Sequence, residues 1–159
     1  MTKKVFFTEV DVRNQISTMC RQMALQKYIP DAIVGITRGG LVPAVYLSHY
    51  FNAPLYTINV SFRDTKIQGG LQELDQLVDA GKKVLIVDDI CDSGETLNFI
   101  LDHLEEKYEF TSSSSTADVR FGVLFHNEAS KCHVDPDFVG VEINKEVEPC
   151  WIVFPWEQD

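Results

Sequence analysis

The fold of this chain can be worked out from one stretch of thirteen residues, VLIVDDICDSGET at positions 84–96. Four apolar residues indicate a buried β-strand, which ends in the adjacent carboxylates of Asp88 and Asp89. The Ser-Gly-x-Thr turn that follows leads into a predicted helix. Backbone N–H groups at a helix N-terminus favour a phosphate, and Ser93 and Thr96 can add hydroxyl donors. One short segment can therefore hold a phosphate, a sugar and, through its acid pair, a magnesium ion.

The same stretch also has plainer interpretations. An isolated Asp-Asp pair is more often a strand end with solvated acids, followed by an Asp or Ser helix cap. Another candidate is the acidic strand of a nucleoside triphosphatase, which requires a G-x-x-x-x-G-K-[ST] loop elsewhere in the chain. The sequence contains no such loop, so we set this class of enzyme aside.

A second glycine loop follows another predicted strand. The apolar run at 32–36 leads directly into Thr37, Arg38, Gly39 and a further glycine. Taken alone, this loop is explained equally well as a tight turn after a strand. Because ligands of open parallel sheets bind beyond the carboxyl ends of the strands, we expect both glycine loops to border one site.

The remaining segments continue the alternation of helices and strands. Thr8 is a predicted N-cap, the polar segment 61–70 is predicted as a mobile loop, and TSSSST at 111–116 is predicted as a linker. Apolar strands without clean alternation indicate a parallel sheet covered on both faces, and we expect a single α/β domain over residues 1–159. The predicted helices are 8–27, 41–51, 71–80 and 95–107, and the predicted strands are 32–36, 55–60, 83–87, 120–125, 138–141 and 151–154.

The composition limits the class of partner. The chain has 159 residues and a formal net charge of −10, which repels a nucleic-acid backbone. No run is long and apolar enough for a membrane span, and the first ten residues lack the apolar stretch of a signal peptide. We therefore expect a cytoplasmic protein that binds neither nucleic acid nor a membrane.

The four cysteines are scattered, at Cys20, Cys91, Cys132 and Cys150. They form no C-x-x-C pair, which gives little support to a zinc or redox site. A reducing cytosol suits such cysteines best.

Taken whole, the stretch at 84–96 resembles the phosphoribosyl pyrophosphate (PRPP) signature of the type I phosphoribosyltransferases, and every position fits that pattern. The resemblance implies an α/β fold with a mostly parallel central sheet flanked by helices and a small C-terminal base-binding hood. It also implies that Asp88 and Asp89 contact the ribose hydroxyls, directly or through Mg²⁺. The residues that correspond to the 5′-phosphate loop of the family are Asp92, Ser93, Gly94, Glu95 and Thr96.

The loop after the first strand strengthens the resemblance. The stretch ITRGGLVPA at 36–44 is similar to the family's pyrophosphate loop, especially in the bacterial xanthine–guanine branch. The resemblance implies that the loop amides, including those of Thr37 and Gly39, and the side chain of Arg38 contact pyrophosphate. By the same analogy we expect a strained or cis peptide near Arg38.

The end of the chain, PCWIVFPWE at 149–157, resembles the base-binding region of purine-salvage relatives. The resemblance assigns Trp151 to stacking on the purine and the backbone of Ile152 to pairing with the base edge. Glu157 corresponds to an acid that binds a second Mg²⁺. We assign the other aromatic residues of this segment to the core.

One departure from the family concerns the choice of base. Relatives carry a lysine that hydrogen-bonds the purine's 6-oxo group, and Asn127 stands where that lysine is expected, while Lys131 comes four residues later. An amide can donate to an oxo group and can also accept from an amino group, so hypoxanthine, xanthine and guanine all stay open. The adjacent His126 is equally consistent with a buried or capping histidine.

The resemblance implies an enzyme of purine salvage that transfers the phosphoribosyl group of PRPP to a purine base. Asp92 is then the candidate general base, and the 61–70 loop is a candidate lid over the site. Two alternatives stay open, a PRPP-binding regulatory protein of the same fold and a phosphoribosyltransferase for another base. Relatives are often dimers or tetramers, so we expect a homo-oligomer.

Overall fold

The chain alternates helices and strands along most of its length. The computed structural model describes residues 2–61, 66–108 and 117–157. The helices are α1 (Glu9–Leu25), α2 (Leu41–Phe51), α3 (Leu71–Asp79), α4 (Glu95–Tyr108) and a short 3₁₀ helix (Pro155–Glu157). The strands are β1 (Lys3–Phe6), β2 (Ala32–Thr37), β3 (Leu55–Ser61), β4 (Lys66–Gly69), β5 (Lys83–Cys91), β6 (Asp118–Asn127), β7 (Phe138–Ile143) and β8 (Cys150–Val153). Within the described ranges, none of the helices has the length and apolarity needed to cross a membrane.

The central sheet has the strand order β4-β3-β2-β5-β6-β7 in the described part of the chain. The five strands from β3 to β7 in this order run parallel, and only β4 is antiparallel to its neighbour. From β2 the chain moves outward to β3 and then returns to β5 on the other side of β2. The switch point therefore lies between β2 and β5, where the loops diverge and leave a crevice for a ligand. This arrangement confirms the predicted α/β fold.

Helices cover both faces of the sheet. Ile33 and Leu85 pack with α1 and α2 on one face, whereas their neighbours Val34 and Ile86 pack with α3 and α4 on the other. Burial on both faces explains why these strands are continuous apolar runs in the sequence.

The predicted N-cap at Thr8 and the predicted start of the second helix are confirmed. The Thr8 hydroxyl accepts from the backbone N–H of Asp11 at 3.1 Å, and the Asp11 carboxylate accepts from the Thr8 N–H at 2.8 Å. This reciprocal capping box satisfies two N–H groups that the first turn of α1 leaves without helical partners. The predicted helix at 41–51 is confirmed with the same bounds.

Several predicted boundaries are wrong, including the strands predicted at 120–125 and 138–141, which extend over 118–127 and 138–143. The strand predicted at 83–87 continues to Cys91, because β6 runs beside it and provides hydrogen-bond partners. The segment predicted as a loop at 61–70 contains β4, Lys66–Gly69, which pairs antiparallel with β3. The remaining part at 62–65 and the predicted linker at 111–116 lie outside the described residues.

The predicted C-terminal hood contains both ends of the described chain. Strand β8 pairs in parallel with β1, so that Val5 lies opposite Ile152. Sequence reasoning missed β1, which is only four residues long and half lysine. Phe154 is buried and stacks on the partly buried Trp156, with ring centroids 4.6 Å apart, which confirms the core assignment of these two aromatics.

Asp75 on α3 is a buried acid that joins α3 to α4. Its two carboxylate oxygens lie 2.8 Å from His103 Nε2 and 2.7 Å from Lys107 Nζ. The Tyr108 hydroxyl donates to the backbone carbonyl of Asp75 at 3.1 Å. Burial by itself raises the pKa of Asp75, but the hydrogen bonds from Lys107 and His103 outweigh it, and the pKa lies below its ordinary value.

We expect Asp75→Asn to lower the free energy of unfolding at neutral pH by about 1–3 kcal/mol, because hydrogen bonds to charged partners are lost. The folded state binds the Asp75 proton less readily than the unfolded state. The stabilisation is therefore present above the ordinary pKa and disappears as the pH falls through the carboxyl range. Urea unfolding at a series of pH values measures this, with exposed Glu106→Gln on α4 as control. An equal loss at every pH contradicts the assignment.

Candidate active site

The two glycine loops predicted from the sequence meet at the switch point of the sheet. Strands β2 and β5 are paired neighbours, with Gly35 opposite Val87. The loop after β2 therefore emerges beside the end of β5, and both loops lead into helices that begin at the same edge. The structure thus brings together segments that are about fifty residues apart in the chain.

Glycine is required where the loops touch. A Cβ on Gly39 would overlap the Asp89 carboxylate, and a Cβ on Gly40 would lie 2.6 Å from the Ile36 carbonyl oxygen and 3.0 Å from the Asp88 Cα. The backbone of the first loop is thereby in contact with the acid pair of the second. No side chain larger than hydrogen fits at either position without displacing an acid or a strand.

Arg38 projects from the first loop as an exposed cation. In the described part of the chain its side chain makes no hydrogen bond or ion pair with protein. The peptide bond between Thr37 and Arg38 is cis, which confirms the expectation for this loop. The Thr37 hydroxyl donates to the Ile58 carbonyl at 3.3 Å and ties the loop to β3. Arg38 is therefore available to an anionic ligand.

The acid pair lies near the C-terminal end of β5 and is partly buried. Burial raises the pKa of Asp88 well above its ordinary value, and the neighbouring Asp89 carboxylate adds to the effect. Burial also raises the pKa of Asp89, and the charge of Glu157 contributes in the same direction. Among the described residues neither acid has a basic ion-pair partner. Ionisation of the two acids is therefore unfavourable at this place, and a bound cation would favour their charged form.

Glu157 lies on the 3₁₀ helix after β8, within electrostatic range of Asp89. Its carboxylate accepts from the Phe154 N–H at 3.1 Å, which fixes its orientation. The side-chain oxygens of Asp88, Asp89 and Glu157 do not all lie within 4.8 Å of one another. The three predicted metal ligands therefore do not form one compact three-ligand cluster.

The loop between β5 and α4 has the form of an anion site. Gly94 has a positive φ of 92° and is buried against the backbone of Cys132, which leaves no room for a side chain. The Ser93 hydroxyl accepts from the Glu95 N–H at 3.2 Å, and Thr96 is partly buried in the first turn of α4. Helix α4 has fourteen residues, so its N-terminus provides both free N–H groups and a positive dipole end.

Asp92 is held by two polar partners at the edge of this loop. Lys145 Nζ lies 2.8 Å from Oδ2, and Asn127 Nδ2 donates to Oδ1 at 3.2 Å. The Asn127 Oδ1 accepts from the backbone N–H groups of Ala129 and Lys145. The amide nitrogen and the amide oxygen of the buried Asn127 side chain therefore both have hydrogen-bond partners already. The cation nearest to Asp92 is Lys145. Sequence reasoning missed Lys145, which lies in a loop after β7 without any motif.

Two of the three predicted base-binding residues, Trp151 and Ile152, lie in the hood, whereas Asn127 is the last residue of β6. Trp151 is 60% exposed, so its indole face is accessible to a ligand. Ile152 is buried, and its backbone belongs to the β1–β8 pair. Ile152 also lines a cavity of about 620 Å³ together with Phe125 and Ile143, and none of the predicted phosphate-binding residues borders that cavity.

The fold and the site define a class: an α/β protein with two facing glycine loops and an acid pair at the switch point of a parallel sheet. Residues 11–158 match the family model of the phosphoribosyl transferase domain. The chain therefore belongs to the phosphoribosyl transferase family, which confirms the family expected from the sequence.

Three relatives illustrate this similarity. The chain is 27% identical over 147 residues to the xanthine-guanine phosphoribosyltransferase of Chromohalobacter salexigens, covering 92% of this chain and 79% of the relative. It is 26% identical over 181 residues to the hypoxanthine-guanine phosphoribosyltransferase of Schizosaccharomyces pombe, covering 91% and 86%. It is also similar to the crystal structure of purine phosphoribosyltransferase from Pyrococcus horikoshii Ot3, with 32% identity, a TM-score of 0.70 and coverage of 99% and 97%.

We expect Gly39→Ala to lower the free energy of unfolding by about 1–3 kcal/mol, since the new methyl group displaces the Asp89 carboxylate. In an Asp89→Ala background the same change should cost much less, because the space is then open. A double-mutant cycle measured by denaturant unfolding isolates this coupling. If Gly39→Ala costs the same in both backgrounds, the two loops are not in contact as described.

Proposed function

We propose that this chain transfers the phosphoribosyl group of PRPP to a purine base and releases pyrophosphate. The observation that carries this proposal is the contact of the glycine loop at Gly39 with the acid pair at Asp89, which joins two anion-binding loops into one site. Family membership and the named activities of the relatives support the reaction type.

In this proposal the two loops divide the substrate between them. The 5′-phosphate binds to the loop of Asp92, Ser93, Gly94, Glu95 and Thr96, where backbone N–H groups and the α4 dipole favour it. The ribose hydroxyls lie at Asp88 and Asp89. The pyrophosphate lies at the first loop, where the residues that contact it are Thr37, Arg38 and Gly39. Arg38 can provide charge-assisted hydrogen bonds to phosphate oxygens.

The donor set fits magnesium. Asp88, Asp89 and Glu157 offer only carboxylate oxygens, which Mg²⁺ prefers, and burial opposes the ionisation of the first two unless a cation compensates. We propose that Asp88 and Asp89 hold one ion and Glu157 a second. When bound, the metal would stabilise the negative charge that develops on pyrophosphate.

The base is proposed to stack on the exposed face of Trp151 and to pair with the backbone of Ile152. Asn127 stands at the expected position of the base-reading lysine, but its amide already donates to Asp92. We therefore propose that Asn127 affects base binding indirectly, by holding the Asp92 carboxylate and the backbone of Lys145 in position. The ammonium group of Lys145 is the charged donor nearest to Asp92. A purine that carries a 6-oxo acceptor is therefore favoured over one that carries a 6-amino group.

In the proposed reaction a ring nitrogen of the base attacks the anomeric carbon, and pyrophosphate leaves. Asp92 accepts the proton from the imidazole ring of the purine, since a carboxylate oxygen has lone pairs beyond those used by Lys145 and Asn127. Lys145 acts as a positioning residue that holds the carboxylate. Arg38 balances the charge on the departing pyrophosphate.

Two other functions would use the same PRPP site. A regulatory protein would bind PRPP without turnover, and an enzyme for another base would turn over a pyrimidine. A product assay with Mg²⁺, PRPP and a panel of radiolabelled bases distinguishes all three. We expect nucleotide formation with hypoxanthine, xanthine or guanine; absence of any product refutes the transferase, and a pyrimidine product refutes the purine assignment.

The single domain, the homo-oligomer and the cytoplasmic location stay predictions.

We expect Asp92→Ala to reduce kcat by about 10²–10⁴-fold while the affinity for PRPP changes little, because proton transfer is lost and the phosphate loop is kept. Lys145→Met retains the carboxylate and should lose less turnover than Asp92→Ala. Steady-state kinetics and PRPP binding by calorimetry separate the two effects, with exposed Glu106→Gln as control. Equal turnover of Asp92→Ala and the unaltered chain removes Asp92 from this role.

A further inference from the structure

A second group of chemically active side chains lies directly behind the phosphate loop. Cys91 at the end of β5, His126 in β6 and Cys132 in the following loop place their ligand atoms within 4.8 Å of one another. It is the one group of three His, Cys, Asp or Glu residues at this spacing in the part of the chain that the structure describes. The scattered cysteines gave no such indication in the sequence, because Cys91 and Cys132 meet only in the fold.

His126 is oriented toward the two cysteines. Its Nδ1 lies 2.8 Å from Glu142 Oε2, so Nδ1–H donates to the carboxylate and the Nε2 lone pair faces the group. The ring is buried, with 5% of the side chain exposed. The Ser130 hydroxyl lies 3.3 Å from both His126 Nε2 and Cys132 Sγ. A histidine held at one nitrogen by a carboxylate is typical of a metal ligand.

We propose that Cys91 Sγ, Cys132 Sγ and His126 Nε2 bind a zinc ion. Two thiolates and one imidazole are the soft and borderline ligands that zinc prefers, in contrast to the oxygen set proposed for magnesium. Asp135, whose Oδ1 lies 3.7 Å from His126 Nε2 on an exposed side chain, or a water molecule completes a tetrahedron.

Zinc binding requires one local adjustment. The two sulfurs lie 2.7 Å apart, whereas a tetrahedral zinc with Zn–S bonds of about 2.3 Å separates them by roughly 3.8 Å. Cys132 lies in a partly exposed loop, so rotation of its side chain can provide the difference. A disulfide between the same sulfurs is the competing outcome. It needs an external oxidant and gives no role to His126 or Glu142, so the metal site accounts for more of the arrangement.

The position of this cluster links it to the phosphate loop. Gly94 packs against the backbone and sulfur of Cys132, and the Lys131 N–H donates to the Ser93 carbonyl at 2.9 Å. Asn98 on α4 bridges the same loop by contacting the Lys131 carbonyl and the His133 N–H. A bound zinc would therefore fix the loop on which the 5′-phosphate site rests, and it would raise the unfolding temperature.

The test is a titration of reduced, chelator-treated protein with Co²⁺, followed by displacement with Zn²⁺. We expect one ion per chain, a thiolate-to-cobalt charge-transfer band, intense visible bands of tetrahedral coordination, and loss of both on adding zinc. Cys91→Ala, Cys132→Ala and His126→Gln should abolish these bands, whereas Cys20→Ala on α1 should keep them. Glu142→Gln should weaken binding by about 10–100-fold. No PRPP or base is present, so the result is independent of the proposed transferase activity.

Three results would overturn the zinc site. The first is no charge-transfer band with the reduced protein, and the second is a band that persists in Cys132→Ala. Cys132 is the decisive position because it is the less buried cysteine and its replacement perturbs the core least. The third is a disulfide: titration in denaturant then finds two free thiols instead of all four, and after reduction the protein binds no zinc.

Discussion

The site depends on a close approach of backbone to carboxylate at the switch point of the sheet. Because Gly39 and Gly40 have no side chains, the loop after β2 can lie directly on Asp88 and Asp89 at the end of β5. Parallel pairing of β2 and β5 sets this distance, and helices on both faces hold the two strands in place. Without that contact the two glycine loops would be separate turns, each too small to bind a large anion.

The electrostatics of the site follow from this contact. An acidic chain with a formal net charge of −10 must bind a polyanion against the sign of its own field. It offers local groups for this purpose: the N-terminus of α4, and Arg38, which has no ion-pair partner in the described part of the chain. Burial raises the pKa of Asp88 and of Asp89, and a bound metal ion would favour their charged form. In the proposed reaction the negative charge of the protein is therefore used to hold cations that face the substrate.

Much of the fold could be predicted from the sequence because its signals are local. The strands β2 and β5, the N-cap of α1 and both glycine loops depend on neighbours within a few residues. Contacts between distant segments could not be predicted: β1 pairs with β8, β4 adds to β3, and Lys145 reaches Asp92 from a loop without a motif. The cluster of Cys91 and Cys132 was missed for the same reason, since its ligands come from separate elements.

In the proposed function the two loops and the acid pair form one metal-dependent site for PRPP. Isothermal titration of PRPP into the protein with and without Mg²⁺ tests it most directly. We expect binding of one PRPP per chain with Mg²⁺ and strongly weakened binding without it, because no cation then links the acid pair to the substrate. Saturating Mg²⁺ with no heat of binding, or equal affinity in the absence of metal, would contradict it.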